Sequence, residues 1–134
     1  MFIFRQITKW GKEMRSTTNV YKALSDTNRL RILMMLKEKS LCVCEVVEIL
    51  ELANSTVSKH LSVLRNANLV MDEKSGRWVN YRIARAEESE DIDFVFAHLE
   101  RQLKNDDRVM RDREKLKGVD RYTICAPSVL AVTK

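Results

Sequence analysis

Apolar residues in this chain fall at helical spacing in some stretches and alternate in one, and the pattern cuts the chain into parts. Ile3, Ile7, Trp10 and Met14 stand at spacings of four, three and four, one face of an amphipathic helix flanked by Lys9, Lys12 and Arg15. A short helix over about 17–24 turns Val20, Ala23 and Leu24 inward. SDTNRLRILMMLKEK then reads as a helix capped at Ser25 or Asp26, where a side-chain oxygen accepts amide protons that have no helical partner. Its Leu30, Ile32, Leu33, Met35 and Leu36 are dense enough for a buried helix. LCVCEVVEILEL predicts a third helix with Val43, Val46, Val47 and Leu50 available to the core. After a short break comes a fourth, NSTVSKHLSVLRNANLV, with Asn54 as N-cap and Val57, Leu61, Leu64 and Asn68 on one face.

In LVMDEKSGRWVNYRIA the period changes to two, with Val79, Tyr81 and Ile83 alternating against polar neighbours on one side of a Lys-Ser-Gly-Arg turn. That is a two-stranded hairpin with Lys74 and Arg77 at its tip. From Asp91 to about Lys117 the spacing predicts one long helix with Ile92, Phe96, Leu99, Leu103 and Met110 at near-heptad positions. The stripe is too narrow for a core helix and suits pairing with a second chain. Ile92, Phe96, Leu99 and Leu103, together with Val20, are the candidate dimerisation residues. Gly118 is a plausible stop, and the tail carries no pattern. The expected organisation is an N-terminal amphipathic helix (1–16) covering a partner subunit, a DNA-binding unit (17–88), a dimerisation helix (89–117) and a tail (118–134). The fold class is mainly α with a small β-hairpin, a winged helix-turn-helix that dimerises.

Composition agrees with a helical reading, because only 3 Gly and 1 Pro are present, the two residues that helix interiors exclude. A chain of 134 residues suits one core. The formal charge of +5 makes a polyanion the natural partner, since clustered Lys and Arg release counterions from phosphates. The polar face of the fourth helix supplies the means: Ser55, Lys59, Ser62 and Asn66, flanked by Thr56, Ser58 and Arg65, suit insertion into a major groove. A helix-turn-helix followed at once by a basic hairpin is a wing, placed to touch flanking phosphates or the minor groove. The apolar runs are too short to cross a bilayer, and MFIFRQITKW lacks a signal pattern. With an odd number of cysteines, 3, the expectation is a reduced, cytoplasmic protein with no membrane partner. His60 falls on the reader helix and His98 on the dimer stripe, so the Cys–His minimum for a nucleophilic enzyme is not met. No catalytic residue and no small organic substrate are expected.

From Ala23 to Ile83 the chain resembles the ArsR/SmtB-type metalloregulatory repressors. The resemblance is carried jointly by ALSDTNRLRIL, the LCVC box, the recognition helix STVSKHLSVLRNANLV and the wing strand GRWVNYRI. It implies a homodimer that binds double-stranded operator DNA without any cofactor and lets go when an inducer ion binds. Ser55, Thr56, Ser58, Lys59 and His60 match recognition-helix positions, and Arg77 lies in the wing. His60 sits about 60° off the buried face, so a packing or hydrogen-bonding role stands beside base reading. Asn68 replaces a glycine common in the family, and asparagine is the next-best residue for a left-handed cap.

Cys42 and Cys44 resemble the pair found in arsenite and antimonite sensors and in a cadmium and lead branch. Thiolates are soft ligands, and a place near a helix N-terminus is expected to lower their pKa. In an ideal helix residues i and i+2 diverge by about 200°, so joint ligation is expected to distort the first turn and strain the helix before the reader. Some arsenite sensors carry a third Cys where this chain has Val47, so either two thiolates suffice with another ligand or Cys125 supplies the third, the bland alternative being an unengaged tail thiol. The cadmium and lead branch uses thiolates earlier in the chain, and no Cys precedes residue 42 here. Asp91, Asp93, His98 and Glu100 do not reproduce the zinc and nickel arrangement of the dimerisation helix. As(III) or Sb(III) is therefore the leading inducer, with a Cd, Pb or Zn response or a thiol redox switch as alternatives.

Overall fold

The computed structural model describes residues 14–124; residues 1–13 of the N-terminal amphipathic helix, and Cys125 with the rest of the tail, lie outside that range. A first helix, α1 (residues 14–24), turns at residues 25–26 into α2 (Thr27–Glu38). Of the two candidate caps, Asp26 takes the role, its carboxylate accepting from the amides of Asn28 at 2.8 Å and Arg29 at 3.1 Å. The Ser25 hydroxyl instead donates back to the Lys22 carbonyl. There follow β1 (Leu41–Cys42), α3 (Val43–Leu50), α4 (Asn54–Asn66), β2 (Val70–Ser75) and β3 (Trp78–Ile83), then α5 (Ile92–Leu103), α6 (Asp107–Gly118) and α7 (Arg121–Ile124). This is a mainly helical winged helix-turn-helix. The helix caps shift by one residue from expectation, to Ala53 for α4 and Val119 for α6. Asn68 has φ 59°, the left-handed turn expected of it, and Gly76 with φ 61° makes the hairpin turn.

Two expectations need correction. Leu41 and Cys42 do not belong to the third helix; they form a short strand in a three-stranded antiparallel sheet of order β1-β3-β2. Leu41 opposes Tyr81 and Cys42 opposes Asn80. A strand of two residues has no period to read, and its pairing partner lies some forty residues on, so only the fold creates it. The long helix is also broken. Asp106 accepts from the amides of Arg108 and Val109 at 2.9 and 3.1 Å and so starts a new helix, α6, which turns back against α2. The face α6 buries is Val109, Asp112 and Leu116, while Met110 stays outside. Asp112, almost fully buried, accepts two bonds from Arg31, each 2.8 Å.

The core gathers Ile32, Leu33 and Met35 of α2, Leu41, Val46 and Ile49, Val57, Leu61 and Leu64 of α4, and Leu69 and Val70 at the foot of the wing. At about 1.5–3 kcal/mol for each fully buried aliphatic side chain, this cluster fixes how α4 is rotated. Val20, Ile92 and Leu99 are also covered within a single chain, and Phe96 and Leu103 pack partly against the same core. Among the described residues, the large apolar side chains most exposed are Met14 and Tyr21 on α1, Phe94 on α5, at 72%, and Tyr122 on α7, with Met110 and Val79 less so.

Candidate functional site

Burial of Val57, Leu61 and Leu64 turns the other side of α4 to solvent, and Ser55, Thr56, Ser58, Lys59, Ser62 and Arg65 are all exposed there. Lys74 and Arg77 are exposed at the far end of the hairpin. Arg65 is the least free of the set, since its Nε donates to Asp72 of β2 at 2.9 Å, tying the reader helix to the wing. His60 is turned away from this face. Its Nδ1 lies 3.1 Å from Arg29 Nη1 and 4.0 Å from an oxygen of Asp26, and Arg29 also donates to the carbonyls of Ala23 and Lys22. Of the two roles open to His60, the geometry supports packing: it buttresses α4 against the corner between α1 and α2.

The base of the wing is held by Arg82, which donates to Glu73 at 2.7 Å and to both oxygens of Glu88 at 2.8 and 2.9 Å. Those bonds, with one from the Arg85 amide, push the Glu88 carboxyl down to about 2.

At the junction of β1 and α3 the two sulfurs of Cys42 and Cys44 are 3.1 Å apart. The expected divergence of about 200° does not arise, because Cys42 is not helical. It is the N-cap residue, with extended φ −92° and ψ 168°, and Cys44 is the second residue of the helix. The strand-to-helix corner brings the sulfurs together without distorting a turn. Their separation is well beyond the roughly 2.05 Å of an S–S bond, so the two sulfurs are in contact and not bonded to each other.

The expected lowering of the Cys42 pKa is also overturned: with the residue 2% exposed, burial pushes its thiol up, and the adjacent Glu45 carboxylate adds to the effect. The carboxylate of Glu45, itself 3% exposed, accepts the Cys42 amide at 2.9 Å and an Arg121 Nη2 at 3.2 Å. Arg121 belongs to α7 and also lies over the Trp78 ring, 5.2 Å from its centroid. Glu45, Arg121 and Trp78 were not singled out by sequence reasoning. The three-residue spacing from an N-cap to a glutamate, as in a capping box, was a signal for Glu45; nothing local marks Arg121.

Among the described residues no group of three or more His, Cys, Asp and Glu side chains is placed to hold a metal. A third ligand for the Cys42–Cys44 pair would come from outside them, and α7, which leads into Cys125, packs on α3.

No helix among the described residues is long and apolar enough to cross a membrane. Residues 26–72 match the family model described as bacterial regulatory protein, arsR family. The chain is 41% identical over 73 residues to the arsenic resistance transcriptional regulator ArsR1 of Pseudomonas putida, a match covering 54% of this chain and 57% of that protein. It is 36% identical over 80 residues to a cadmium resistance transcriptional regulatory protein CadC homolog of Staphylococcus aureus, covering 59% of this chain and 66% of the relative. In structure it is similar to HlyU from Vibrio cholerae, with TM-score 0.59 and 31% identity over 70% of this chain and 98% of that one. The matched region thus spans a little over half of the arsenic regulator, and nearly all of HlyU. The helix-turn-helix, its wing and these matches together place the chain in the arsR family of bacterial regulatory proteins, which are DNA-binding transcriptional regulators and not enzymes.

Proposed function

We propose that the protein is a homodimeric repressor that holds operator DNA with α4 and the wing and releases it when As(III) or Sb(III) is captured by Cys42 and Cys44, with Cys125 as the third sulfur. The observation that carries this reading is the 3.1 Å approach of the two sulfurs at the corner between β1 and α3. Cys42 is paired in register with Asn80 of the wing strand, and Cys44 opens the helix that packs on α4. A change at the pair therefore acts on both DNA-contacting elements at once. Similarity to an arsenic regulator supports the ion class. Exposed Tyr21 and Phe94 support a partner subunit against α1 and α5, and a cytoplasmic site of action follows from contact with the genome.

The test is anisotropy of labelled DNA from upstream of the protein's own gene, with reduced protein and arsenite, cadmium and zinc titrated separately. Release by micromolar arsenite, lost in Cys42→Ser and in Cys44→Ser, supports the reading, and Cys125→Ser then reports on the third ligand. Release by cadmium alone keeps the repressor and rejects the arsenic assignment. A second reading, a thiol redox switch, is favoured by the same close approach of two sulfurs, 3.1 Å apart. It predicts release by an oxidant, reversed by a monothiol reductant with no chelating dithiol present.

A further inference from the structure

Among the described residues, the tip half of the wing has no sheet neighbour on its outer side. Strand β1 is two residues long and reaches only Asn80 and Tyr81 of β3, whereas Trp78 and Val79 are paired with β2 alone. What meets Trp78 from the other side is α7. Arg121 lies over its ring at 5.2 Å, and Tyr122 packs edge-on with ring centroids 5.2 Å apart. The same Arg121 is ion-paired at 3.2 Å to Glu45, whose Oε1 also accepts the Cys42 amide. One guanidinium therefore touches both the residue that fixes Cys42 and the residue next to Arg77 at the wing tip.

We propose that Arg121 is a positioning residue that transmits the state of the Cys42–Cys44 corner to the tip of the wing, with Glu45 as its anchor. A carboxylate as buried as Glu45 requires a paired cation, so α7 stays docked while Glu45 keeps its place. A displacement of the α3 N-terminus carries Glu45 with it, and the guanidinium cannot follow and also keep its place over Trp78. The direct ladder from Cys42 to Asn80 moves the base of the wing; Arg121 is what reaches the tip. This inference rests on the reading that the cysteine pair is the sensing site, and it assigns to the segment after α6 a regulatory role that lies outside the residues matched by the family model.

Trp10 and Trp78 are the 2 tryptophans of the chain, so Trp10→Phe makes fluorescence report on Trp78 alone. In that background Arg121→Gln is expected to shift Trp78 emission to the red and raise its quenching by iodide. It is also expected to shrink the ratio of DNA Kd with arsenite to Kd without it by about tenfold, a coupling loss within the usual range for linked sites. Arsenite uptake, followed by loss of titratable thiols, stays as in the parent. Arg121→Lys, which restores the charge opposite Glu45 but cannot reach the carboxylate and the Trp78 face at once with a planar fork, is expected to recover stability and not the ratio. Circular dichroism and the Lys variant separate misfolding from lost coupling. Unchanged Trp78 emission, or an unchanged Kd ratio, in Arg121→Gln overturns the proposal. If arsenite leaves the parent on DNA, the ion reading has failed; the ratio between oxidised and reduced protein then judges Arg121, and equal ratios in parent and Arg121→Gln overturn its role.

Discussion

The two regions to which a function is proposed are built on opposite principles. On the DNA face, Ser55, Thr56, Ser58, Lys59, Lys74 and Arg77 are exposed, and their placement comes from buried residues on the other side of the same elements. At the cysteine corner the functional atoms are inside: Cys42 is 2% exposed, and Glu45, at 3%, is bonded to both Cys42 and Arg121. A polyanion is recognised by solvated charges that gain from released counterions, so freedom of the side chains costs little. The ion proposed for the corner would need two sulfurs fixed near each other, and burial supplies that fixity at the expense of a thiol that is harder to ionise.

If that contrast is right, changes at the corner should cost stability and changes on the face should not. The largest effect is expected from Glu45→Ala, which removes the partner of Arg121 and of the Cys42 amide. Because Arg121 is partly exposed and can reach solvent, the loss is about 2–3 kcal/mol, below the upper range for a fully buried pair, and urea denaturation measures it. A loss under about 0.5 kcal/mol would place the corner among ordinary surface sites.

Next in size is the face itself. Lys74→Ala with Arg77→Ala should leave the urea midpoint nearly unchanged and lower the slope of log Kd against log salt by about 2, one for each phosphate that is no longer neutralised. His60→Gln sharpens the division, since a residue bonded to Arg29 should alter stability by about 1 kcal/mol and leave the salt slope alone. A changed slope would return His60 to the DNA face.

A kinetic difference at the corner is smaller but direct. With the protein reduced, iodoacetamide at neutral pH should alkylate half-exposed Cys44 before Cys42, whose thiol burial holds protonated, and peptide mass mapping gives the order. The smallest effect concerns Glu88 under the wing. Its carboxyl is held at about 2 against an ordinary 4.5, so its contribution is present above pH 4.5 and is lost as pH falls through about 2. The stability gap between the parent and Glu88→Gln should close over that window. A gap that survives below pH 2 would mean that charge is not its source.

Much of this was legible along the chain because it is local. The 3.6-residue period of α2 and α4, the Asp26 cap, the turn at Gly76 and the left-handed Asn68 each follow from residues within one turn of one another. Thus the reader helix, its outward face and the wing tip could be named by residue. The cysteine pair was also visible, but its geometry was read as helical, and so a strain was expected that the protein does not have. Whether Cys42 is strand or helix depends on Tyr81 and Asn80, and no periodicity in two residues encodes that pairing. In the same way Asp106 had the chemistry of a cap, yet an unbroken heptad stripe competed with it. The balance was decided by Arg31, whose guanidinium binds Asp112 once α6 folds back.

By itself, then, the sequence determined the helix-turn-helix and the basic wing and marked the cysteine pair, since each depends on neighbours in the chain. Only the tertiary structure decided that the sulfurs meet at a strand-to-helix corner, that burial raises the Cys42 thiol, and that Arg121 joins this corner to Trp78. Those outcomes rest on contacts between residues far apart in sequence, and such contacts exist only after the core has closed.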